Sequence, residues 1–130
     1  MRNIHRLDCA ILGAALCLSA CAFGSKRGAP AGLQAKSVLL TVTNQNWLDV
    51  DVFVIRADTR YRLGAVTGNN SATLSIPASL VAHGEVRLMA DPIGSDDVYV
   101  SEAIAVTPDQ QLQLTVAPRM RMSSYAVWNP

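Results

Sequence analysis

An all-β domain, two sheets packed face to face and built from seven antiparallel strands, is the fold class that this sequence predicts. Three observations carry it. From Ser37 to Val116 apolar residues recur at every second position, and turn residues break that rhythm at intervals of about ten residues. No stretch after residue 20 shows a helical period long enough to cover a sheet.

Each strand follows from its own alternation. Val38, Leu40 and Val42 alternate with Leu39, Thr41 and Thr43, and Asn44-Gln45-Asn46 predicts a turn. Leu48, Val50, Val52 and Val54 alternate with Asp49, Asp51, Phe53 and Ile55; the second half is apolar on both faces, as in a central or covered strand. Ala57-Asp58-Thr59 turns into Arg60-Tyr61-Arg62-Leu63, with both arginines on one face and a bulge expected at Gly64. Gly68-Asn69-Asn70 leads to Ala72, Leu74 and Ile76. Pro77 to Gly84 interrupts the period with one helical turn, as a crossing between two sheets requires. Strands resume at Val86, Leu88 and Ala90, then over Val98–Val106, then at Leu112, Leu114 and Val116. Two sheets that bury each other's apolar faces give a β-sandwich of immunoglobulin-like or transthyretin-like shape. The Cys…Trp…Cys pattern of antibody domains is missing. Glu102 shares the parity of Val98, Val100, Ile104 and Val106, so a bulge must turn it out of the core.

The N-terminal residues have a different grammar. Arg2, His5 and Arg6 form a basic head diluted by Asp8; Ala10 to Leu18 is apolar and uncharged, and too short for a membrane span of about 20 residues. It ends in Leu18-Ser19-Ala20-Cys21. This quartet resembles the lipobox of bacterial lipoproteins. The resemblance implies cleavage between Ala20 and Cys21, a diacylglyceryl thioether on the Cys21 sulfur, and acylation of the new amino group. Two or more acyl chains give stable anchoring, at about 0.8 kcal/mol per buried methylene. Ala22, where some of these lipoproteins have an inner-membrane-retaining aspartate, favours the inner leaflet of the outer membrane, facing the periplasm. The body also loosely resembles small single-sandwich lipoproteins, in length, alternation and its Asp91-Pro92-Ile93-Gly94 loop.

The expected organisation is therefore a signal peptide with its helix over 1–20, lipidated Cys21 and a flexible linker over 21–36, a sandwich over 37–117, and a tail over 118–130. Residues 22–36 are rich in Gly, Ala and Pro and carry Lys26, Arg27 and Lys36, a composition suited to a solvated spacer. Cys9 and Cys17 leave with the signal, so no pair remains for a disulfide. Between Ser37 and Val116 only Arg56, Arg60, Arg62 and Arg87 face nine carboxylates, which argues against nucleic acid as a partner.

Reactive constellations are sparse. His83 is the single histidine after residue 20, and no Gly-x-Ser-x-Gly accompanies it. Asp91, Asp96 and Asp97 share a loop without the spacing of an EF-hand, and Asp49 and Asp51 are placed to pair across a sheet with Arg60 and Arg62. No cofactor or metal site is expected. The tail offers Arg119, Arg121, Tyr125 and Trp128 as partner contacts. It could add a strand to a partner or fold back over its own sandwich; folding back is favoured, because a small domain is expected to bury its only tryptophans, Trp47 and Trp128. The sequence thus reads as a lipid-anchored, non-catalytic binding or envelope-structure module with a possible envelope protein partner. The competing readings are a small hydrolase or metal-dependent enzyme using His83 and loop carboxylates, and a carrier of a small apolar ligand.

Overall fold

The structure, a computed structural model, describes residues 36–82 and 84–130. The expected signal, Ala20, Cys21, the linker before Lys36 and His83 lie outside the described residues.

The first strand, β1 (Val38–Asn44), buries Val38, Leu40, Val42 and Asn44 and turns Leu39, Thr41 and Thr43 outward. β2 (Val50–Arg56) and β3 (Thr59–Val66) form a hairpin through Ala57 and Asp58, both at positive φ, the conformation a two-residue turn needs to match strand twist. The register of this hairpin shifts between Val52, opposite Gly64, and Phe53, opposite Arg62. That is the expected bulge, with Leu63 as the additional residue. β4 (Asn70–Ile76) is followed by a single helical turn, α1 (Ala78–Val81), which carries the chain to β5 (Glu85–Pro92) in the other sheet.

Beyond β5 the strand expected over Val98–Val106 is two short pieces, β6 (Tyr99–Val100) and β7 (Ile104–Ala105), both paired with β5. Ser101 causes the break. Its N–H donates to the Leu88 carbonyl at 2.8 Å, while its hydroxyl accepts the Leu88 N–H at 2.9 Å and donates to the Glu102 carbonyl at 2.7 Å. The side chain thereby satisfies Leu88 in place of a ladder partner, and Glu102 is left in solvent. β8 (Gln111–Val116), a 3-10 turn (Met120–Met122) and β9 (Ser124–Trp128) complete the chain.

Two sheets result, one in the order β4-β1-β8-β9 and the other β3-β2-β5-β6, with β7 beside β5. The domain is nearly all β, as expected, but two details are corrected. Among the described residues the strands number nine rather than seven, because one expected strand is split and the tail adds another. Nor are all pairs antiparallel: β1 and β8 run parallel, Leu39 opposite Gln111 through Asn44 opposite Val116. The short connection from β7 delivers β8 at the end where β1 begins, so both run the same way.

The core between the sheets is aliphatic, led by Leu40, Ile76, Leu88, Leu112 and Leu114 with the valines of β1 and β2. Neither tryptophan joins it, contrary to expectation. Short branched side chains from two closely packed sheets fill the interior, and both indoles stay near the rim.

Candidate functional site

Because strand directions are fixed by the pairing, each loop belongs to one of two ends. At the proximal end lie Lys36, the Ala57-Asp58 turn, the 77–84 crossing and the 107–110 turn. At the distal end lie the β1–β2 loop, the β3–β4 turn, the 93–98 loop and the 117–123 turn.

The distal end is built around two buried asparagines. The Asn44 side-chain amide shares its hydrogens among the carbonyls of Leu48, Val66 and Thr67, at 2.8, 3.1 and 3.2 Å. Its oxygen accepts the Asn46 N–H at 2.9 Å. Asn46 in turn accepts the Leu48 N–H at 3.1 Å, and its amide reaches the Pro118 carbonyl at 3.3 Å and the Met120 sulfur at 3.8 Å. One residue pair thus ties together three distal loops. Backbone bonds add to the clamp: Asn69 N–H to the Asn46 carbonyl and Ile93 N–H to the Asp49 carbonyl, both at 2.8 Å. The Asp49 carboxylate takes the Gly68 N–H at 3.0 Å, and a side chain at Gly68 would collide with the Trp47 carbonyl.

Trp47 stands on this clamp between buried Asn46 and half-buried Leu48, and 76 % of it is exposed. Ile93, 55 % exposed, and Met122, 68 % exposed, are on neighbouring loops of the same end. Arg119 and Arg121 flank buried Met120 in the 117–123 turn, both in solvent. The backbone on either side of this exposed indole is held by hydrogen bonds, so the loop itself has little conformational freedom.

The four expected contact residues do not form one surface. Arg119 and Arg121 belong to the distal end, whereas Trp128, opposite Gln111 at the start of β8, is proximal. Tyr125 faces inward and packs against the core beside Val127, so the tail covers its own sandwich. Trp47 takes the place that the tail was expected to fill. Its signal was present in the sequence, since an indole inside Asn44-Gln45-Asn46-Trp47-Leu48-Asp49 sits in a turn rather than on a strand face.

The remaining candidates are accounted for by local structure. Asp51 accepts both Nε and Nη2 of Arg62, at 3.1 and 2.6 Å, so the expected charge ladder forms at one of its two rungs. Asp49 lies ahead of β2 and serves the Gly68 turn instead, while Arg60 stands opposite Ile55. Asp58 lies 3.6 Å from Arg87. Asp96 and Asp97 are exposed and Asp91 stands opposite Asp51; among the described residues no group of three potential metal ligands is found. At the seam between the two sheets, Tyr99, Ser101, Glu102, Ser123 and Tyr125 line an open crevice of about 530 Å³. Burial, then the Tyr125 and Glu102 charges, push the Tyr99 phenol above its ordinary pKa.

No family model matches the chain, and no curated protein does. Among solved structures, the chain is similar to a protein from Eubacterium rectale determined by NMR, at 14 % identity and a TM-score of 0.43, over 79 % of this chain and 95 % of that one. It is also similar to a structure described as a trapped toxin, at 11 % identity and a TM-score of 0.36, over 73 % of this chain. The match spans 24 % of that second protein.

Proposed function

We propose that this protein is a lipoprotein held in the outer membrane by acylated Cys21, whose periplasmic immunoglobulin-like sandwich binds an envelope protein partner and catalyses nothing. The observation that carries the contact reading is the exposed Trp47 on its clamped loop, with Ile93 and Met122 exposed on neighbouring loops of the same end and Arg119 and Arg121 exposed in the 117–123 turn. It lies at the end of the sandwich opposite Lys36, where the chain from Cys21 arrives, so a tethered domain presents it away from the bilayer. The packed aliphatic interior favours this reading over a carrier. The engagement of Asp49 and Asp51 in loop and strand contacts favours it over an enzyme.

Two variants test it. Cys21→Ser abolishes acylation and leaves an uncleaved precursor. Trp47→Ala leaves membrane fractionation unchanged and shifts stability by no more than about 0.5 kcal/mol, as for an exposed side chain. It weakens the complex trapped by a photocrosslinker at position 122 by about 2 kcal/mol or more, the loss typical of a truncated hot spot. An undiminished crosslink in Trp47→Ala, or a Cys21→Ser protein processed normally, overturns the corresponding half of the proposal.

A further inference from the structure

Trp128 is the second exposed indole, and its neighbours differ from those of Trp47. On the outer face of the β4-β1-β8-β9 sheet, Trp128 is level with Gln111, and Gln111 with Leu39. Leu39 is 46 % exposed and Trp128 37 %. Beside this row lies a hollow of about 220 Å³ whose lining includes Lys36, Leu39, Pro108, Asp109, Gln111 and Pro130. Farther up the same face the outward side chains are Thr41, Thr43, Thr73, Gln113, Thr115 and their small neighbours, with no charge among the twelve outward positions of the four strands. The large exposed apolar side chains of this sheet are thus confined to its proximal edge.

That edge is where the chain from Cys21 arrives. Residues 22–35 can span at most about 50 Å, and as a coil of this composition about 20 Å on average. An indole and a leucine in one row, with a lysine lining the hollow beside it, match the chemistry of the bilayer interface, where tryptophan lies at headgroup level and lysine extends to the phosphates. Lys36 and Asp109 balance each other in this lining, so apolar burial, more than net charge, supplies the attraction. Resting on the lipid-anchor reading, we infer that Leu39 and Trp128 form a second, non-covalent membrane contact that docks the proximal edge on the bilayer. The occupant is the lipid surface itself, and Trp47 is left pointing into the periplasm.

Each tryptophan can report separately. The full lipidated protein, as Trp47→Phe and as Trp128→Phe, is reconstituted into phosphatidylethanolamine–phosphatidylglycerol vesicles carrying a quencher at the headgroup or shallow acyl level. Trp128 fluorescence falls at least twofold more than Trp47 fluorescence, and Leu39→Asp in the Trp47→Phe background brings Trp128 down to the Trp47 level. Vesicles without phosphatidylglycerol preserve the difference. Protein that floats with the vesicles while both tryptophans are quenched equally, or neither is, overturns the docking and leaves the anchor standing. Protein that does not float overturns both. A difference that vanishes without phosphatidylglycerol overturns the apolar contact in favour of an electrostatic one.

Discussion

At the scale of single residues, the side chains that matter most here are the two asparagines that hold Trp47 in place. Buried amides are costly to strand, and Asn44 satisfies three carbonyls and one N–H at once. Asn44→Ala should lower the stability of the domain by about 1–3 kcal/mol, read as a denaturant midpoint shift, because several backbone groups lose their partner together. Binding of the proposed partner should fall in the same variant even under conditions where it remains folded, since the loop that displays Trp47 is no longer fixed. A variant of unchanged midpoint would mean that water replaces the amide and that the clamp is not structural. From the sequence, Asn44-Gln45-Asn46 was readable as a turn. That its two asparagines turn inward was not, because their partners are on loops 22 to 74 residues away.

Among the elements, β9 is the one that can be removed from the end of the chain without breaking another strand. It covers the edge of β8, and the turn before it buries Met120 beneath the distal loops. Truncation after Ala117 should cost about 3 kcal/mol or more, since removing a buried methionine side chain alone costs about 2–5 kcal/mol. It also bares β8, whose outward residues are Gln111, Gln113 and Thr115, as an uncharged edge open to pairing with other chains. Thermal melts and light scattering of the truncated chain would show both effects; an unshifted melt would mean that β9 is an appendage. The strands that alternate cleanly were legible, as were the crossing over 77–84 and the bulge near Gly64, because period and turn chemistry are local. The tail alternates too, through Tyr125 and Val127, yet alternation alone does not say whose sheet a strand joins. The parallel pairing of β1 with β8 was hidden for the same reason: sheet order depends on contacts between residues about seventy positions apart.

For the molecule as a whole, the seam between the sheets carries the clearest response to pH. Tyr99 holds its proton more tightly when folded than when unfolded, so above about pH 10, the ordinary phenol value, the unfolded chain releases that proton first. Folded stability therefore falls as pH rises through that window and is unaffected by this group below it. The decline of the melting temperature above about pH 10 should be smaller in Tyr99→Phe, while the two profiles run parallel between about pH 8 and 10; identical profiles throughout would remove Tyr99 as a cause. The candidate site was the least legible part, since tryptophan suggests a core residue by its size and only the filled aliphatic interior sends both indoles to the rim. The placement of β1 has a mechanical consequence. It runs in one span from the residues next to Lys36 to the loop of Trp47, with β4 antiparallel on one flank and β8 parallel on the other. A pull between the proposed lipid anchor and a partner gripping Trp47 enters and leaves the same strand, so the extended covalent backbone of β1 carries it and the hydrogen-bond ladders on either side are not required to yield. Under the proposed anchoring, the strand that begins the domain is also its tendon, and a pull along it leaves the packing of the two sheets unloaded.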